Sequence, residues 1–445
     1  MGSASASNVG SQDTIAGQVA ATPIDPPVAA GAMAANMTPT RDGVIATWIE
    51  PVDAGKTAHR VRFASYASGR WTAPTTIAEA PSIMANWADT PSVVQQGNGT
   101  LVAHWAEKVA PAAHAYDVML ATSADAGRTW QPLGRAHADR SATEHGFVSL
   151  VPERERTVAI WLDGRDTVKG GPTRLRTTIV AGAADKRVET VLDDRVCDCC
   201  STNAAATDAG AIVVYRDRSG DEIRDISFVR QSGGAWSAPA PVATDGWKIT
   251  GCPVNGPAVA ANGRDVAVAW FTLAGGTPHV RVAFSADAGG SFSPAIDIDV
   301  PHGTRAPAGR VDVELHGGDA IVSWLASERE AGIILVRRVA RDGRRGRELQ
   351  LARTTSGRES GFPRLAPLQG DELLVMWTET SEPPRVRAVR VPAAALPKSE
   401  QQVEASKPAP AAATLAVGAS APDYHATSAT GARVDLKSLR GAPST

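Results

Sequence analysis

Seven short apolar runs, each with an aromatic residue near its end, recur along the chain. They are Val44–Glu50, Leu101–Glu107, Thr157–Asp163, Ala211–Asp217, Val266–Thr272, Ala320–Ala326 and Leu373–Glu379. The aromatic residues are Trp48, Trp105, Trp161, Tyr215, Trp270, Trp324 and Trp377, separated by 57, 56, 54, 55, 54 and 53 residues. So even a period marks a repeat architecture. Within a unit, a short strand such as Pro91–Val94 or Pro257–Ala260 precedes a Gly-containing turn, as at Gly97–Gly99 or Asn262–Gly263. The aromatic strand follows, then an alternating strand such as Val280–Phe284, then a weaker Pro-bearing one such as Trp236–Pro239. Pro is tolerated at a sheet edge. Runs of about 4–8 residues bounded by Gly and Pro are too short for helices. Four strands per unit predict an all-β fold, a seven-bladed β-propeller of four-stranded antiparallel blades, with six blades and one irregular unit as the alternative.

The seventh unit lacks a fourth strand after Arg385–Pro392. A ring hides its edges, so the segment Thr14–Ile24 is expected to supply that strand. The expected layout is a flexible N-terminus over 1–12, the propeller over 13–392, a Pro/Ala-rich linker over 393–414 and a tail over 415–445.

Composition narrows the classes. Forty-one Gly and 30 Pro among 445 residues suit many short strands joined by turns. A formal net charge of −2, with both signs mixed, gives neither a nucleic-acid footprint nor a polybasic membrane patch. No apolar run approaches the roughly 18 residues of a membrane span. Met1–Ser7 has neither a basic start nor an apolar segment, so no secretory signal is visible. A periplasmic or secreted location is expected, with the leader removed.

Ser123-Ala124-Asp125-Ala126-Gly127-Arg128-Thr129-Trp130 and Ser285-Ala286-Asp287-Ala288-Gly289-Gly290-Ser291-Phe292 lie between third and fourth strands. Eroded copies are Gln231–Trp236 and Ser65–Trp71. The Asp accepts backbone N–H bonds across a tight turn, Gly supplies a conformation other residues resist, and the aromatic packs beneath. By these motifs the chain resembles the sialidase-like propellers with Asp-boxes (BNR repeats), over roughly residues 30–392. The resemblance implies that Ser123, Asp125, Gly127, Trp130, Ser285, Asp287, Gly289 and Phe292 are structural. It also implies, for an active member, an arginine cluster gripping a carboxylate, a Tyr nucleophile assisted by Glu, and an Asp acid. The family's early Arg-Ile-Pro is absent. Of Tyr66, Tyr116, Tyr215 and Tyr424, only Tyr116, at the start of a third strand, is a loose candidate.

The loops entering the innermost strands are expected at one mouth of the ring, a common setting for propeller pockets. They are Asn86–Asp89, Thr143–Gly146, Cys197–Asn203, Gly251–Asn255, His302–Pro307 and Arg358–Gly361. Weak catalytic candidates there and on the neighbouring strands are Asp89, Glu144, Arg216, Asp217, Arg224, Asp225, Arg358 and Glu359. Arg216, Asp217, Arg224 and Asp225 are expected to form an ion-pair ladder across adjacent strands.

Cys197, Cys199 and Cys200 fall in the loop before Tyr215, and Cys252, the fourth cysteine, in the loop before Trp270, so adjacent blades carry them. Three arrangements remain open: a disulfide from Cys252 to one of the other three, a thiolate site for Cu(I) or Zn, or reduced structural thiols. Strand alternation would put Cys197 and Cys199 on one face and Cys200 on the other.

Val417–Tyr424 and Gly431–Gly441 resemble the opening of the thioredoxin-like redoxin family, over about 25 residues without its Cys-x-x-Cys. The tail itself is expected to be poorly ordered, and the resemblance implies a thiol-redox partner. The expected function is a non-catalytic propeller that binds a small-molecule or glycan ligand, or a metal, at the cysteine-bearing mouth. The alternative is an exo-sialidase-like glycoside hydrolase of the sialidase superfamily.

Overall fold

The structure is a computed structural model that describes residues 17–18, 20–112, 114–299, 305–329, 331–398, 425–427 and 433–435. Expectations for 1–12 and for most of 399–445 lie outside these residues, as do residues 302–304 of the His302–Pro307 loop.

Seven antiparallel sheets follow one another along the chain, as the period predicts. Their innermost strands are Met33–Pro39, Ser92–Gln95, His145–Glu153, Asn203–Thr207, Ala258–Asn262, Arg305–His316 and Arg364–Leu368. The periodic aromatic residues all lie on the second strands, and each is at most 8% exposed. Burying an indole leaves its N–H in need of a partner. Acidic residues provide it: Trp48 Nε1 donates to Glu50 (2.8 Å), Trp105 to Glu107 (2.7 Å), Trp161 to Asp163 (2.8 Å) and Trp270 to Asp245 (2.7 Å). The Tyr215 hydroxyl donates to Asp193 at 2.6 Å.

Of the expected segment, Thr22–Pro23 pairs antiparallel with Arg385–Pro392 and completes the seventh blade, closing the ring, while Gly17–Gln18 pairs parallel with Leu349–Gln350 of blade six. The packed unit runs past the expected linker boundary at 392. Ala393–Ala395 form a 3-10 turn, and Ala393 and Leu396 are buried, Leu396 against Val391 and Leu349. Their apolar side chains override the Pro/Ala composition that suggests a linker. One compact unit covers 1–401 and a second covers 402–445. In the second, His425–Thr427 pairs antiparallel with Arg433–Asp435.

The two Ser-x-Asp-x-Gly turns share one geometry. Asp125 accepts from Thr129 N (2.9 Å) and Oγ1 (2.7 Å), and Asp287 from Ser291 N (2.9 Å) and Oγ (2.8 Å). These bonds hold both carboxyls well below the usual range; at Asp287, Ser285 is the largest cause and the pKa falls to about 2. Trp130 packs edge-on against Phe63 and Phe292 against Phe228, so each turn braces the preceding blade.

Three innermost strands begin with a β-bulge and a positive φ at a non-Gly residue: Ala34 (55°), Phe147 (54°) and Arg310 (53°). Bulges of this kind re-aim a strand. The innermost strands of the ring border its central opening.

Candidate functional site

Successive leading loops are bonded to one another around that opening. Phe147 N donates to Asp89 Oδ2 (2.9 Å), and Thr202 Oγ1 donates to Phe147 O (2.8 Å). Gly256 lies so close to Ser201 that a Cβ would collide with its carbonyl. Arg310 N donates to Asn255 Oδ1 (2.8 Å), and Arg310 Nη1 to Gly357 O (2.8 Å). The Arg310 guanidinium lies over Trp87, which stacks on Phe362 at 6.0 Å and 11°. The predicted mouth loops Asn86–Asp89, Thr143–Gly146, Cys197–Asn203, Gly251–Asn255 and Arg358–Gly361 therefore converge. Below them a polar cleft lined by Asn36, Ser92, Ser149, Asn203, Asp312 and Glu314 follows the innermost strands.

Residues 198–200 bend instead of continuing as a strand, which removes the expected alternation of faces. All three sulfurs of the cluster come together as a result. Cys199 and Cys252 form a disulfide across blades four and five, with Cα atoms 5.9 Å apart. Cys197 and Cys200 are free and buried. The Cys197 sulfur lies 3.5 Å from that of Cys200 and 3.7 Å from that of Cys199. In this state the cluster presents two thiols and one disulfide, not four thiolates.

Arg224 Nη1 donates to Cys197 Sγ at 3.2 Å. The Cys197 pKa falls to about 6, chiefly through the hydrogen bond with Cys200; burial opposes this, and the Cys199 backbone N–H, Arg216 and Arg224 assist. Cys200 moves the other way, raised well above its ordinary value by burial and then by the neighbouring Cys197. Cys252 is exposed, and its sulfur lies 3.5 Å from Asp198 Oδ1. Asp198 is also 3.8 Å from both Arg218 and Arg224.

The expected ion-pair ladder does not form. Arg216 is 1% exposed and directs its donors to main-chain carbonyls: Asn255 (2.9 and 3.0 Å), Arg224 (2.6 Å) and Phe271 (2.8 Å). Strand ends of two blades meet there and offer main-chain carbonyls to a buried guanidinium. Arg224 pairs with Glu222 (2.8 Å). Asp217 accepts from Ser227 (3.1 Å), and Asp225 from the N–H groups of Gly246 (2.8 Å) and Trp247 (2.9 Å). Arg358 and Glu359 are exposed on a 3-10 turn at the mouth rim.

Asp89, Tyr116 and Glu144 make a second constellation beside the sulfurs. The Tyr116 hydroxyl donates to Glu144 Oε1 at 2.6 Å, and Gly146 packs against both Asp89 and Tyr116. Burial raises the Asp89 pKa to about 7 against the pull of the Phe147 N–H. Glu144 is also raised, by burial first, with Asp198 among the contributors. Burial and the two carboxyls push Tyr116 well above 10.

No protein-family model matches the chain, and no curated protein matches it. Solved propellers follow a similar chain course. An α-L-arabinanase of Penicillium chrysogenum, complexed with arabinobiose, is 13% identical with a TM-score of 0.46, over 85% of this chain and 100% of that one. The α-L-arabinofuranosidase Arb93A of Fusarium graminearum is 14% identical with a TM-score of 0.48, over 86% and 100%. The NanB sialidase of Streptococcus pneumoniae is 11% identical with a TM-score of 0.40, over 87% and 70%. At such values the chemistry of the mouth has to be taken from its own residues.

Proposed function

We propose that the cysteine-bearing mouth is a thiol–disulfide exchange site that acts on a protein or small-molecule thiol. The observation that carries this reading is a thiol favouring its anion, Cys197, held 3.7 Å from a sulfur of the Cys199–Cys252 disulfide and capped by Arg224. The thiolate is the nucleophile in such exchange, and nearby cations favour it. An incoming thiolate attacks the exposed Cys252 sulfur. The Cys252–Cys199 bond breaks, and its electron pair leaves on Cys199. A second thiol of the partner attacks the mixed disulfide and releases Cys252.

The inner pair extends the chemistry. Cys197 attacks Cys199 and expels Cys252 as thiolate. Cys200 then passes its proton to Cys252, attacks Cys197 and expels Cys199. Two electrons move from the inner dithiol to the outer disulfide, with no external oxidant. A surface disulfide suits a periplasmic or secreted setting. Full reduction would offer four thiolates, a donor set for Cu(I) or Zn.

The test equilibrates the purified chain in glutathione buffers and maps its disulfides by differential alkylation and mass spectrometry. A Cys197–Cys200 disulfide should appear as Cys199–Cys252 opens, and Cys199→Ser should trap glutathione on Cys252. Reduction that never yields a Cys197–Cys200 bond would remove the relay.

The trio Asp89, Tyr116 and Glu144 favours a second reading, a carbohydrate-active site of the sialidase superfamily, as the Asp-box resemblance implies. A carboxyl ionising near 7 suits a general acid, and a Tyr–Glu pair suits a nucleophile with its base. Fluorogenic sialosides and arabinofuranosides test this directly. Turnover lost in Asp89→Asn supports it, and no turnover in the wild type removes it.

A further inference from the structure

Blades two and three share another cluster, independent of the sulfurs. Asp117 lies on the strand Tyr116–Ser123, His137 follows the strand Gln131–Arg135, and His145 opens the strand His145–Glu153. The side chains are 2%, 0% and 0% exposed. Asp117 Oδ1 is 3.6 Å from His137 Nε2 and 3.5 Å from His145 Nδ1, too far for hydrogen bonds. None of these three atoms has a hydrogen-bond partner, and all lie within 4.8 Å of one another. A buried polar atom left unpaired is destabilising, so three at one point call for a shared partner.

The surroundings fix which atoms face inward. His137 Nδ1 is 3.2 Å from the Asp139 carbonyl, and His145 Nε2 faces Asp139 Oδ2 at 3.3 Å. A proton on His137 Nδ1 directed at that carbonyl leaves the Nε2 lone pair free for a ligand, and both nitrogens of His145 lack a hydrogen-bond partner. The rings stack at 3.9 Å and 16°, and taking up one ion in both ring planes would turn them apart. Arg135 pairs with the other Asp117 oxygen, Oδ2.

We propose that Asp117, His137 and His145 bind a divalent transition-metal ion of the zinc type. Two imidazoles and a carboxylate are a donor set for such ions. Bonds of roughly 2.0–2.2 Å at tetrahedral angles put ligand atoms roughly 3.3–3.6 Å apart, which matches the 3.5 and 3.6 Å separations from Asp117 Oδ1. Metal-bound imidazoles characteristically give their other nitrogen to a carboxylate or carbonyl, and Asp139 supplies both kinds of oxygen. Asp117 and His145 directly follow Tyr116 and Glu144, so the ion ties the two blades together immediately behind that mouth pair.

The experiment strips the intact protein with a chelator and titrates it with Co2+, then Zn2+. One Co2+ per chain should bind with visible ligand-field bands and no sulfur-to-cobalt charge-transfer band, and Zn2+ should displace it. His137→Gln should lose stoichiometric uptake. Asp139→Asn should weaken uptake about 10–100-fold, and Cys197→Ser should bind as wild type. Asp139→Asn keeps the proposal testable should His137→Gln fail to fold. No stoichiometric uptake by folded wild-type protein would overturn it, as would full affinity in folded His137→Gln or Asp139→Asn. A charge-transfer band abolished by Cys197→Ser would place the ion on the sulfurs and overturn it as well.

Discussion

Replacing Cys200 with Ala removes the largest contribution to the acidity of Cys197. The hydrogen bond lost spans 3.5 Å between sulfurs and stabilises an anion. Hydrogen bonds to charged groups contribute about 1.5–3 kcal/mol, and one pKa unit corresponds to about 1.4 kcal/mol. The Cys197 midpoint should therefore rise from about 6 by about 1–2 units. Thiolate ultraviolet absorbance, recorded against pH as the difference between each protein and its Cys197→Ser counterpart, reads this without requiring a reagent to reach a buried sulfur. The same shift sets a sign for stability. A folded pKa below the unfolded one gives stability that is present above the unfolded value of 9.0 and lost as pH falls through about 6. Wild-type urea midpoints should then decline through that window more than those of Cys197→Ser. An unchanged midpoint in Cys200→Ala, or a wild-type Cys197 that ionises only near 9, would refute the thiolate reasoning.

Converting Cys199 and Cys252 together to Ser opens a link between residues 53 apart in sequence. Chain entropy for such a loop predicts a loss of about 4 kcal/mol in urea unfolding. Asp89 has a folded pKa raised to about 7, so its contribution is complete below the unfolded value of 3.8 and is lost as pH rises through about 7. Asp89→Asn should flatten the pH dependence of urea midpoints across that interval, by at most about 4 kcal/mol. Gly127→Ala combines a φ of +82° with a Cβ that meets the Phe63 ring; a loss of about 1–3 kcal/mol is expected in thermal or urea unfolding.

The ring was legible because its signal is one-dimensional. Trp48 to Trp377 mark second strands at an even spacing, and the missing seventh-blade strand had to come from somewhere, since rings leave no edge. The acids that cap the indoles belonged to the same pattern in Trp48-Ile49-Glu50 and Trp161-Leu162-Asp163, a signal the periodicity alone passes over. What could not be read depends on direction. Arg216 and Arg224 alternate with acids in sequence, yet at the strand ends Arg216 reaches main-chain carbonyls, and Arg224 reaches Glu222 and a sulfur rather than Asp217 or Asp225. The choice of Cys199 as partner to Cys252 depends on a bend at 198–200. His137 and His145 are only eight residues apart, but their common partner Asp117 is 20 residues before His137, on a strand that pattern assigns only to packing.

The charges around the sulfurs give the mouth a direction. Cys197 faces Arg224 at 3.2 Å, whereas the Cys252 sulfur faces Asp198 at 3.5 Å. An anion on Cys197 is thus favoured by its neighbours, and an anion on Cys252 is opposed by a carboxylate that Glu144 also senses. Exchange from Cys197 to Cys252 carries negative charge from an arginine to an aspartate, so it runs readily only when a proton accompanies it. Cys200 is the remaining thiol inside the cluster, and its raised pKa makes delivery of that proton the uphill step. The arginine that favours an anion on Cys197 and the aspartate that opposes one on Cys252 therefore both disfavour opening the outer disulfide from within, whereas Cys252 is its exposed end.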